Sequence, residues 1–258
     1  MCSAAMLDVE RYLDRIGFTK SVAVDLPTLE ALQRAHLSHV AFENLHVAAR
    51  LGVRTDLQWS LSKIVDQRRG GWCFEVNGAF GALLEALGFE VTRLGAAVLL
   101  AGPTTVIDHL TLEVMLDEPF LVDVGFGESF VRPLALNRRG PQDGGIGPFE
   151  FLASPQGTTL ARIIDDVPVA QYRFKRVAHA LSDFDGASAE LQTDPDLHWS
   201  QKPFATRLLN GGPDRVTLLK DRLRIVVDGE ETTHLVAVDE WAQVLLEWFA
   251  MTPPSSGH

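Results

Sequence analysis

The feature that most constrains the fold of this 258-residue chain is a change of hydrophobic period near Gly88. Before it, apolar residues recur at helical spacing, as Val9, Tyr12 and Ile16 do. Further helices are predicted at residues 27–36, 60–67 and 76–87, and Gly88 is placed to end the last of them. The first third of the chain is therefore predicted to be helical.

After Gly88 the pattern changes to short runs of β-forming residues that alternate between two faces. Turn signals such as Asp-Glu-Pro at residues 117–119 separate these runs as far as residue 177. Such a series predicts an antiparallel sheet curled into a barrel, with residues 137–148 as a surface loop. The last third predicts more strands, a hairpin turn at residues 228–231 and an amphipathic helix whose N-cap is Asp239.

Charge and cysteine content exclude several classes of protein. The formal net charge is −11 and the basic residues are scattered, which argues against nucleic acid as a partner. Two cysteines, Cys2 and Cys73, cannot form a disulfide framework, and no apolar run is long enough to span a bilayer. The opening segment lacks the pattern of a signal peptide. We therefore expect a cytoplasmic enzyme or binding protein without a membrane partner.

The stretch RRGGWCFEVNGAF, residues 68–80, places Cys73 between a glycine turn and a helix start. A thiol is a good nucleophile only after it loses its proton, and the positive end of a helix favours that loss. The helix contributes only about 0.3–1 kcal/mol, less than the ~1.36 kcal/mol that one pKa unit represents. A nucleophilic Cys73 would therefore also need a histidine.

Among the eight histidines, His109 has the most suitable surroundings. It opens the predicted strand HLTLEVM, on the face opposite to the apolar residues. Across a predicted hairpin lies Asp123, in the apolar run FLVDVGFG, where a carboxylate is unfavourable unless it is paired. The pattern indicates that Cys73 is the nucleophile, that His109 is the base and that Asp123 is the group that orients the base.

Each of these residues also has a purely structural interpretation. Cys73 is compatible with a small buried hydrophobe, His109 with a core histidine, and Asp123 with a carboxylate that caps a turn. Signatures of other chemistry are missing from the sequence: it has no HExxH, paired CxxC, Walker A, GxSxG or GxGxxG motif. Metal, ATP and serine-hydrolase functions are therefore poor explanations of this chain.

Three segments together resemble the arylamine N-acetyltransferase family. They are RRGGWCFEVN around Cys73, the pair DHLTLEV and LVDVGFG around His109 and Asp123, and HLSHVAFENLHV at residues 36–47. The resemblance extends over nearly the whole chain. In the last segment Ala41 stands where the family usually has proline, and the loop before His109 is a few residues shorter than usual.

The resemblance implies an α+β fold: a helical bundle, a central antiparallel β-barrel and an α/β lid, with a Cys-His-Asp triad like that of cysteine proteases. On this basis residues 1–88 form the bundle that carries the cysteine, residues 89–190 the barrel that carries the histidine and aspartate, and residues 191–258 the lid. A homodimer is left open.

The resemblance also implies acetyl-CoA-dependent N-acetylation of arylamines, arylhydroxylamines and arylhydrazines. The reaction is ping-pong, through an acetyl-cysteine on Cys73, and requires no metal. Backbone N–H groups near Cys73 and in the turn Gly125–Gly127 are expected to hold the oxyanion. The implied contacts to the cofactor are Gly102, Thr104 and Thr105, and those to the acceptor are Phe42, Phe74, Phe126, Phe130 and Phe204.

Three alternatives remain open on the sequence alone. The first is a cysteine peptidase or transglutaminase-like enzyme, which uses the same triad logic. The second is an amide synthase that takes an acyl chain from a carrier protein, and the third is a non-catalytic binding protein with the same fold.

Beside the triad, we expect Glu43 and Arg69 to be structural partners, since both flank segments that must meet near Cys73 and a buried carboxylate needs a cation.

Overall fold

The computed structural model describes residues 7–194 and 202–255, so that Cys2 lies outside the described residues. The helices are α1 Val9–Arg15, α2 Leu26–His39, α3 Leu45–Ala48, α4 Leu57–Leu61, α5 Cys73–Ala86, α6 Asp185–Thr193 and α7 Trp241–Phe249. A wide helical turn, Ser62–Asp66, continues α4, and a tighter turn, Leu181–Phe184, leads into α6.

The strands are β1 Phe42–Glu43, β2 Glu90–Val98, β3 His109–Met115, β4 Pro119–Val122, β5 Leu134–Ala135, β6 Gln142–Asp143, β7 Pro148–Ser154, β8 Gly157–Ile164, β9 Val167–Ala178, β10 Ala205–Leu208, β11 Arg215–Leu218, β12 Arg222–Val227 and β13 Glu230–Leu235. They form two antiparallel sheets, one of eight strands and one of five.

Helix α5 is the centre of the molecule. Its residues from Cys73 to Leu84 are all buried, because the helix is apolar on every side apart from Glu75 and Asn77. Helices α1 and α2 cover one side with residues such as Tyr12 and Leu29, and strands β2 and β3 of the large sheet pack against the other. This position holds the first turn of α5 rigidly between the helical layer and the sheet.

The large sheet curls into a nearly closed barrel, as the period-2 pattern predicts. Its strand order is β5-β4-β3-β2-β9-β8-β7-β6, so β5 and β6 are the two edges. The side chain of Gln142 bridges these edges: it accepts from the Ala135 N–H at 2.9 Å and donates to the Ala135 carbonyl at 3.0 Å. One amide side chain thus replaces a strand partner at the seam of the barrel.

The smaller sheet has the order β1-β10-β11-β12-β13 and packs beneath α7. Strand β1 comes from the first third of the chain, yet it pairs with β10 through Phe42 opposite Thr206. Because this sheet joins distant parts of the sequence, the division at residues 88 and 190 stays a prediction.

Two local predictions are wrong. Residues 137–148 are not loop throughout, since they contain β6, which pairs with β7. The N-cap of α7 is Glu240 rather than Asp239, and no side chain caps that helix. Within residues 7–194 and 202–255, no helix combines the length and the apolar character needed to cross a bilayer.

Candidate active site

Cys73 is the first residue of α5 and is 7% exposed. The two glycines before it are needed for close packing rather than for a left-handed backbone. A Cβ on Gly70 would lie 2.1 Å from the Ala41 carbonyl oxygen, and a Cβ on Gly71 would lie 2.8 Å from Glu75. The absence of side chains lets this segment lie against β1 and brings Cys73 to the start of the helix.

His109 opens β3, and Asp123 directly follows β4, its antiparallel neighbour. The hairpin brings the two side chains together, with His109 Nε2 at 2.7 Å from Asp123 Oδ2. Both residues are buried, at 2% and 3% exposure. The contact that the sequence predicts across this hairpin is therefore present in the structure.

Asp123 also accepts from three further donors. Asn77 Nδ2 lies 2.9 Å and the Gly125 N–H 2.8 Å from Oδ1, while the Tyr172 hydroxyl donates to Oδ2 at 3.0 Å. Asn77 is itself held in place, because it donates to the Leu110 carbonyl at 2.6 Å and accepts from the Val124 N–H at 2.9 Å. This network satisfies a fully buried carboxylate and fixes its orientation toward His109.

The electrostatics favour a charged imidazole. Burial disfavours the imidazolium, but the Asp123 carboxylate and hydrogen bonds to Asp123 and Cys73 outweigh burial and raise the pKa of His109 to about 10. Burial also opposes ionisation of Asp123, yet the charge of His109 and the surrounding donors hold the pKa of Asp123 below its usual value. Since Nε2 is engaged by Asp123, the other ring nitrogen, Nδ1, is the one available to the thiol of Cys73.

The segment after Asp123 lies directly on the nucleophile helix. A Cβ on Gly125 would lie 2.8 Å from the Cys73 Cα and 2.9 Å from Asn77 Nδ2, so only glycine fits there. The Gly125 N–H is already used by Asp123 and is not available to an oxyanion. Gly125 is therefore excluded from the predicted oxyanion site, and the role of the rest of the turn Gly125–Gly127 stays a prediction. The first N–H groups of α5, at Cys73 and Phe74, have no intrahelical acceptor.

A small cavity of about 50 Å³ lies over Cys73. His109 and Asp108 supply its polar lining, and most of the rest is apolar. Its lining residues are Phe42, Trp72, Cys73, Val98, Leu100, Asp108, His109, Gly125, Phe126 and Leu191.

The five predicted acceptor-contacting phenylalanines separate into two groups. Phe42 and Phe126 line the cavity, and Phe204 packs on Phe42 with ring centroids 5.2 Å apart. Phe74 and Phe130 are 0% and 1% exposed and pack in the core, and neither lines this cavity. The placement of these two residues gives no support for contact with an acceptor.

The predicted cofactor contacts lie in the loop before His109. Thr104 Oγ1 accepts from the Val106 N–H at 3.1 Å, and the Thr104 carbonyl accepts from Arg173 at 2.5 Å. Thr105 lines a separate cavity beside Arg173, and Gly102 has no neighbour within 4 Å of the position of a Cβ. Their role as cofactor contacts stays a prediction.

Glu43 does not pair with Arg69, so the predicted partner is wrong. Lys63 is the buried cation instead: its Nζ lies 3.6 Å from Glu43 Oε1 and 2.8 Å from Glu75 Oε2. Arg69 donates to the Thr252 carbonyl at 2.9 Å. Lys63 lies in the wide turn after α4, and neither its sequence spacing from Glu43 nor that from Glu75 indicates the contact.

Asn77 and Tyr172 are the residues of the site that sequence reasoning missed. Asn77 follows Cys73 by four positions and so shares its face of α5, a signal that could have revealed it. Tyr172 comes from β9 and carries no local signal. Among the described residues, no group of three or more His, Cys, Asp or Glu side chains is arranged to hold a metal ion.

A family profile described as N-acetyltransferase matches residues 25–253 of this chain. Together with the nearly closed barrel and the Cys73, His109 and Asp123 arrangement, the match defines the class of the protein as an acyltransferase.

The relatives specify the family within that class. An arylamine N-acetyltransferase of Mycolicibacterium smegmatis is 34% identical over 203 residues, which cover 75% of this chain and 74% of that protein. The solved arylamine N-acetyltransferase of Salmonella typhimurium superposes with a TM-score of 0.90 at 26% identity, covering 95% of this chain and 92% of the other. That of Mycobacterium marinum in complex with CoA has a TM-score of 0.86 at 29% identity, with 94% and 92% coverage. This chain belongs to the arylamine N-acetyltransferase family.

Proposed function

We propose that this enzyme transfers the acetyl group of acetyl-CoA to the nitrogen of arylamines, arylhydroxylamines and arylhydrazines, through an acetyl-cysteine on Cys73. The observation that carries the proposal is the buried pair of His109 and Asp123 beside the Cys73 thiol at the start of α5. The names of the relatives support the acceptor class, and the neighbour described with CoA supports the donor. The predicted cytoplasmic location and the homodimer stay predictions.

In the first half-reaction Cys73 gives its proton to His109, and the thiolate attacks the carbonyl carbon of the thioester. A bond forms between Cys73 Sγ and the acetyl carbon, the carbon–sulfur bond of the donor breaks, and the CoA thiolate leaves with the proton that His109 returns. The negative oxygen of the tetrahedral intermediate is proposed to lie at the first N–H groups of α5. Exchange of one thioester for another requires little net energy, which makes cysteine a suitable acyl carrier.

In the second half-reaction the acceptor nitrogen attacks the acetyl-cysteine. His109 removes the proton from the nitrogen as the new carbon–nitrogen bond forms, and that proton returns to the thiolate of Cys73. Asp123 stabilises the imidazolium that exists at this stage and keeps Nε2 engaged. The same three side chains thus act in both half-reactions: the acetyl group is transferred to Cys73 in the first and from Cys73 in the second.

The size of the cavity limits which groups can bind beside Cys73 without a change in its lining. The cavity measures about 50 Å³, whereas ligand pockets usually measure about 300–1,000 Å³. The cavity therefore suits the acetyl group but not an aromatic ring. We propose that Leu100 or Leu191, which line the cavity, moves when the acceptor binds. Leu100 is 63% exposed and has room to do so.

Mass spectrometry after brief exposure to acetyl-CoA without acceptor tests the proposal. We expect a mass increase of one acetyl group, located on Cys73 by peptide mapping and removed when 4-aminobenzoate or isoniazid is added. Cys2→Ser is the matched control, since it removes the other thiol and should acylate normally, whereas Cys73→Ser should not.

Absence of the acyl-enzyme in the wild type, or full activity of Cys73→Ser, would overturn the covalent mechanism. Parallel assays with a peptide p-nitroanilide and with an acyl-carrier thioester test the two alternative enzymes. Faster turnover of either substrate than of acetyl-CoA with an arylamine would contradict the proposed substrates.

A further inference from the structure

Asp108 is a second carboxylate at the active site, and the reaction proposed above gives it no role. It directly precedes His109 and lines the cavity over Cys73 together with that histidine. Its backbone carbonyl oxygen lies 4.0 Å from Cys73 Sγ. Asp108 is only partly buried, whereas Asp123 is fully enclosed. It therefore lies beside the space in which an acceptor must meet the acetyl-cysteine.

The carboxylate of Asp108 has few partners, in contrast to that of Asp123. Oδ1 accepts from the Val98 N–H at 2.8 Å, and no other residue among those described donates a hydrogen bond to the carboxylate. Burial raises the pKa of Asp108, whereas the Val98 N–H and the charge of the neighbouring His109 lower it. A partly desolvated carboxylate with an oxygen to spare gains from a donor that a bound molecule supplies.

The bond to Val98 does not explain why this residue is an aspartate. Val98 is the last residue of β2 and His109 is the first of β3, so the bond closes the open end of this strand pair. An asparagine oxygen accepts the same N–H without the cost of desolvating a charge. An aspartate adds a second acceptor oxygen, Oδ2, and a negative charge beside the cavity.

The proposed acceptors differ in the atom next to the reacting nitrogen. In an arylhydrazine this atom is a second nitrogen with an N–H, and in an arylhydroxylamine it is an oxygen with an O–H. A simple arylamine has only a ring carbon there. When the reacting nitrogen attacks the acetyl-cysteine and gives its proton to His109, the additional hydrogen is one bond further from the thioester. A cavity of about 50 Å³ leaves that hydrogen close to its polar lining, which Asp108 and His109 provide.

We propose that Asp108 selects acceptors with a hydrogen on the atom next to the reacting nitrogen, namely arylhydrazines and arylhydroxylamines, over simple arylamines. The inference rests on the proposed function and narrows its acceptor class. Oδ1 keeps the bond to Val98, and Oδ2 accepts the additional N–H or O–H. A hydrogen bond to a carboxylate is stronger than one to a neutral acceptor, and it orients the attacking nitrogen. Asp108 is thus a specificity residue, and His109 remains the base.

Transfer from the preformed acetyl-enzyme to two matched hydrazines tests this assignment. Phenylhydrazine has an N–H next to its reacting nitrogen, and N-methyl-N-phenylhydrazine has a methyl group in place of that hydrogen. We expect the wild type to prefer phenylhydrazine. In Asp108→Asn the ratio of the two deacylation rates should be about 10- to 100-fold smaller, the range for a lost hydrogen bond to a charged group. Aniline, which has no second nitrogen, should be affected far less than phenylhydrazine.

The ratio separates recognition from a structural role, because it compares two acceptors within one protein. Asparagine can still accept from the Val98 N–H, so Asp108→Asn should melt at the temperature of the wild type. Asp117→Asn is the matched control: it removes the same charge from an exposed turn at the other end of β3 and should leave the ratio unchanged. An unchanged ratio in Asp108→Asn, or equal losses with phenylhydrazine and aniline, would overturn the proposal whatever the melting temperature.

Binding to Cys73→Ala distinguishes failure of this inference from failure of the proposed function. This variant cannot be acylated, and calorimetry should show that it binds phenylhydrazine more tightly than the methylated compound. The preference should be lost when Asp108→Asn is added. If acetyl-CoA fails to acylate the wild type while this preference depends on Asp108, the proposed function is wrong and recognition by Asp108 stands. If the wild type is acylated and the ratio of rates does not depend on Asp108, the proposed function stands and this inference is wrong.

Discussion

At the scale of single residues, most hydrogen bonds of the site converge on Asp123. Four donors from four separate segments of the chain approach its two oxygens, and the one that carries a charge is His109. The neutral donors Asn77 and Gly125 help to keep the carboxylate ionised, and Tyr172 helps to fix its position, so that its charge acts on the imidazole. The reactivity of Cys73 is therefore expected to depend on a residue that does not contact the substrate.

Asp123→Asn should change how the reactivity of Cys73 depends on pH. The pKa of His109 is raised to about 10, so the imidazolium is present below that pH and is lost only as the pH rises through it. In the wild type, alkylation of Cys73 by iodoacetamide should therefore be fast and nearly constant across neutral pH. In the variant the imidazolium loses its partner, and the rate should rise only as the pH approaches ~8.5, where an ordinary thiol ionises.

Tyr172→Phe provides the control for that measurement, because it removes a neutral donor and leaves the charge of Asp123 in place. Its alkylation profile should resemble that of the wild type. Superimposed profiles for wild type and Asp123→Asn would show that Asp123 has only a structural role, and would reduce the site to Cys73 and His109.

At the scale of elements, the start of α5 is fixed by contacts with its neighbours as well as by its own Glu75, which accepts from the Trp72 N–H at 3.1 Å. Lys63, from the turn after α4, binds Glu75 in the first turn of α5 and Glu43 in β1. The opposite side of the helix start is covered by Gly125, in contact distance of the Cys73 backbone. These contacts define where the thiol lies relative to His109.

Lys63→Met should destabilise the protein by ~3–5 kcal/mol, because it leaves two carboxylates in a buried site without a cation. Urea denaturation measures the change. The double variant Lys63→Met with Glu75→Gln should recover part of the loss, and Arg176→Met, which breaks a half-exposed ion pair with Glu113, should cost no more than about 1 kcal/mol. Equal effects of Lys63→Met and Arg176→Met would contradict the importance of the buried network.

Gly125→Ala should lower both stability and acylation of Cys73. The added methyl group overlaps the Cys73 backbone and the Asn77 amide, so the loop must move away from α5, at a cost of ~1–3 kcal/mol. Gly186→Ala in α6 is the matched control, since no atom beyond its chain neighbours and the backbone of its own helix lies within 4 Å of its Cβ position. Thermal unfolding and the rate of acylation are the measurements. Wild-type values for Gly125→Ala would show that the loop does not need this close approach.

At the scale of the whole molecule, the barrel provides the rigid frame for His109, Asp123 and Tyr172. All three lie on or beside strands of one sheet: His109 on β3, Asp123 beside β4 and Tyr172 on β9. In that sheet only β2 separates β3 from β9. The sheet ends at β5 and β6, and the side chain of Gln142 joins those edges. The seam therefore closes the same sheet that carries the site.

Gln142→Leu should open the seam without changing the site directly. It leaves the Ala135 N–H and carbonyl without their partners, at a cost of ~1–3 kcal/mol. Hydrogen exchange should become faster at the Ala135 amide, whereas Gln156→Leu, at an exposed glutamine between β7 and β8, should leave it unchanged. Unaltered exchange at Ala135 in Gln142→Leu would show that the edges are held together in another way.

The sequence by itself determined the features that depend on neighbouring residues. The change of period distinguished the helices from the barrel strands, and the hairpin between His109 and Asp123 was predictable because fourteen residues with one turn leave few ways to pair. Cys73 was identified from its glycines and from the helix that follows. Each of these inferences uses the fixed periods of helix and strand, which are local properties of the backbone.

Only the tertiary structure decided which distant residues share a buried environment. The pairing of β1 with β10, the choice of Lys63 rather than Arg69 as the partner of Glu43, and the hydroxyl of Tyr172 on Asp123 all join segments far apart in sequence. The same holds for Phe74 and Phe130, which pack in the core although their residue type suits a pocket equally well. The physical reason is that burial and ion pairing depend on distances between elements, which the packing of the whole chain sets and no local pattern records.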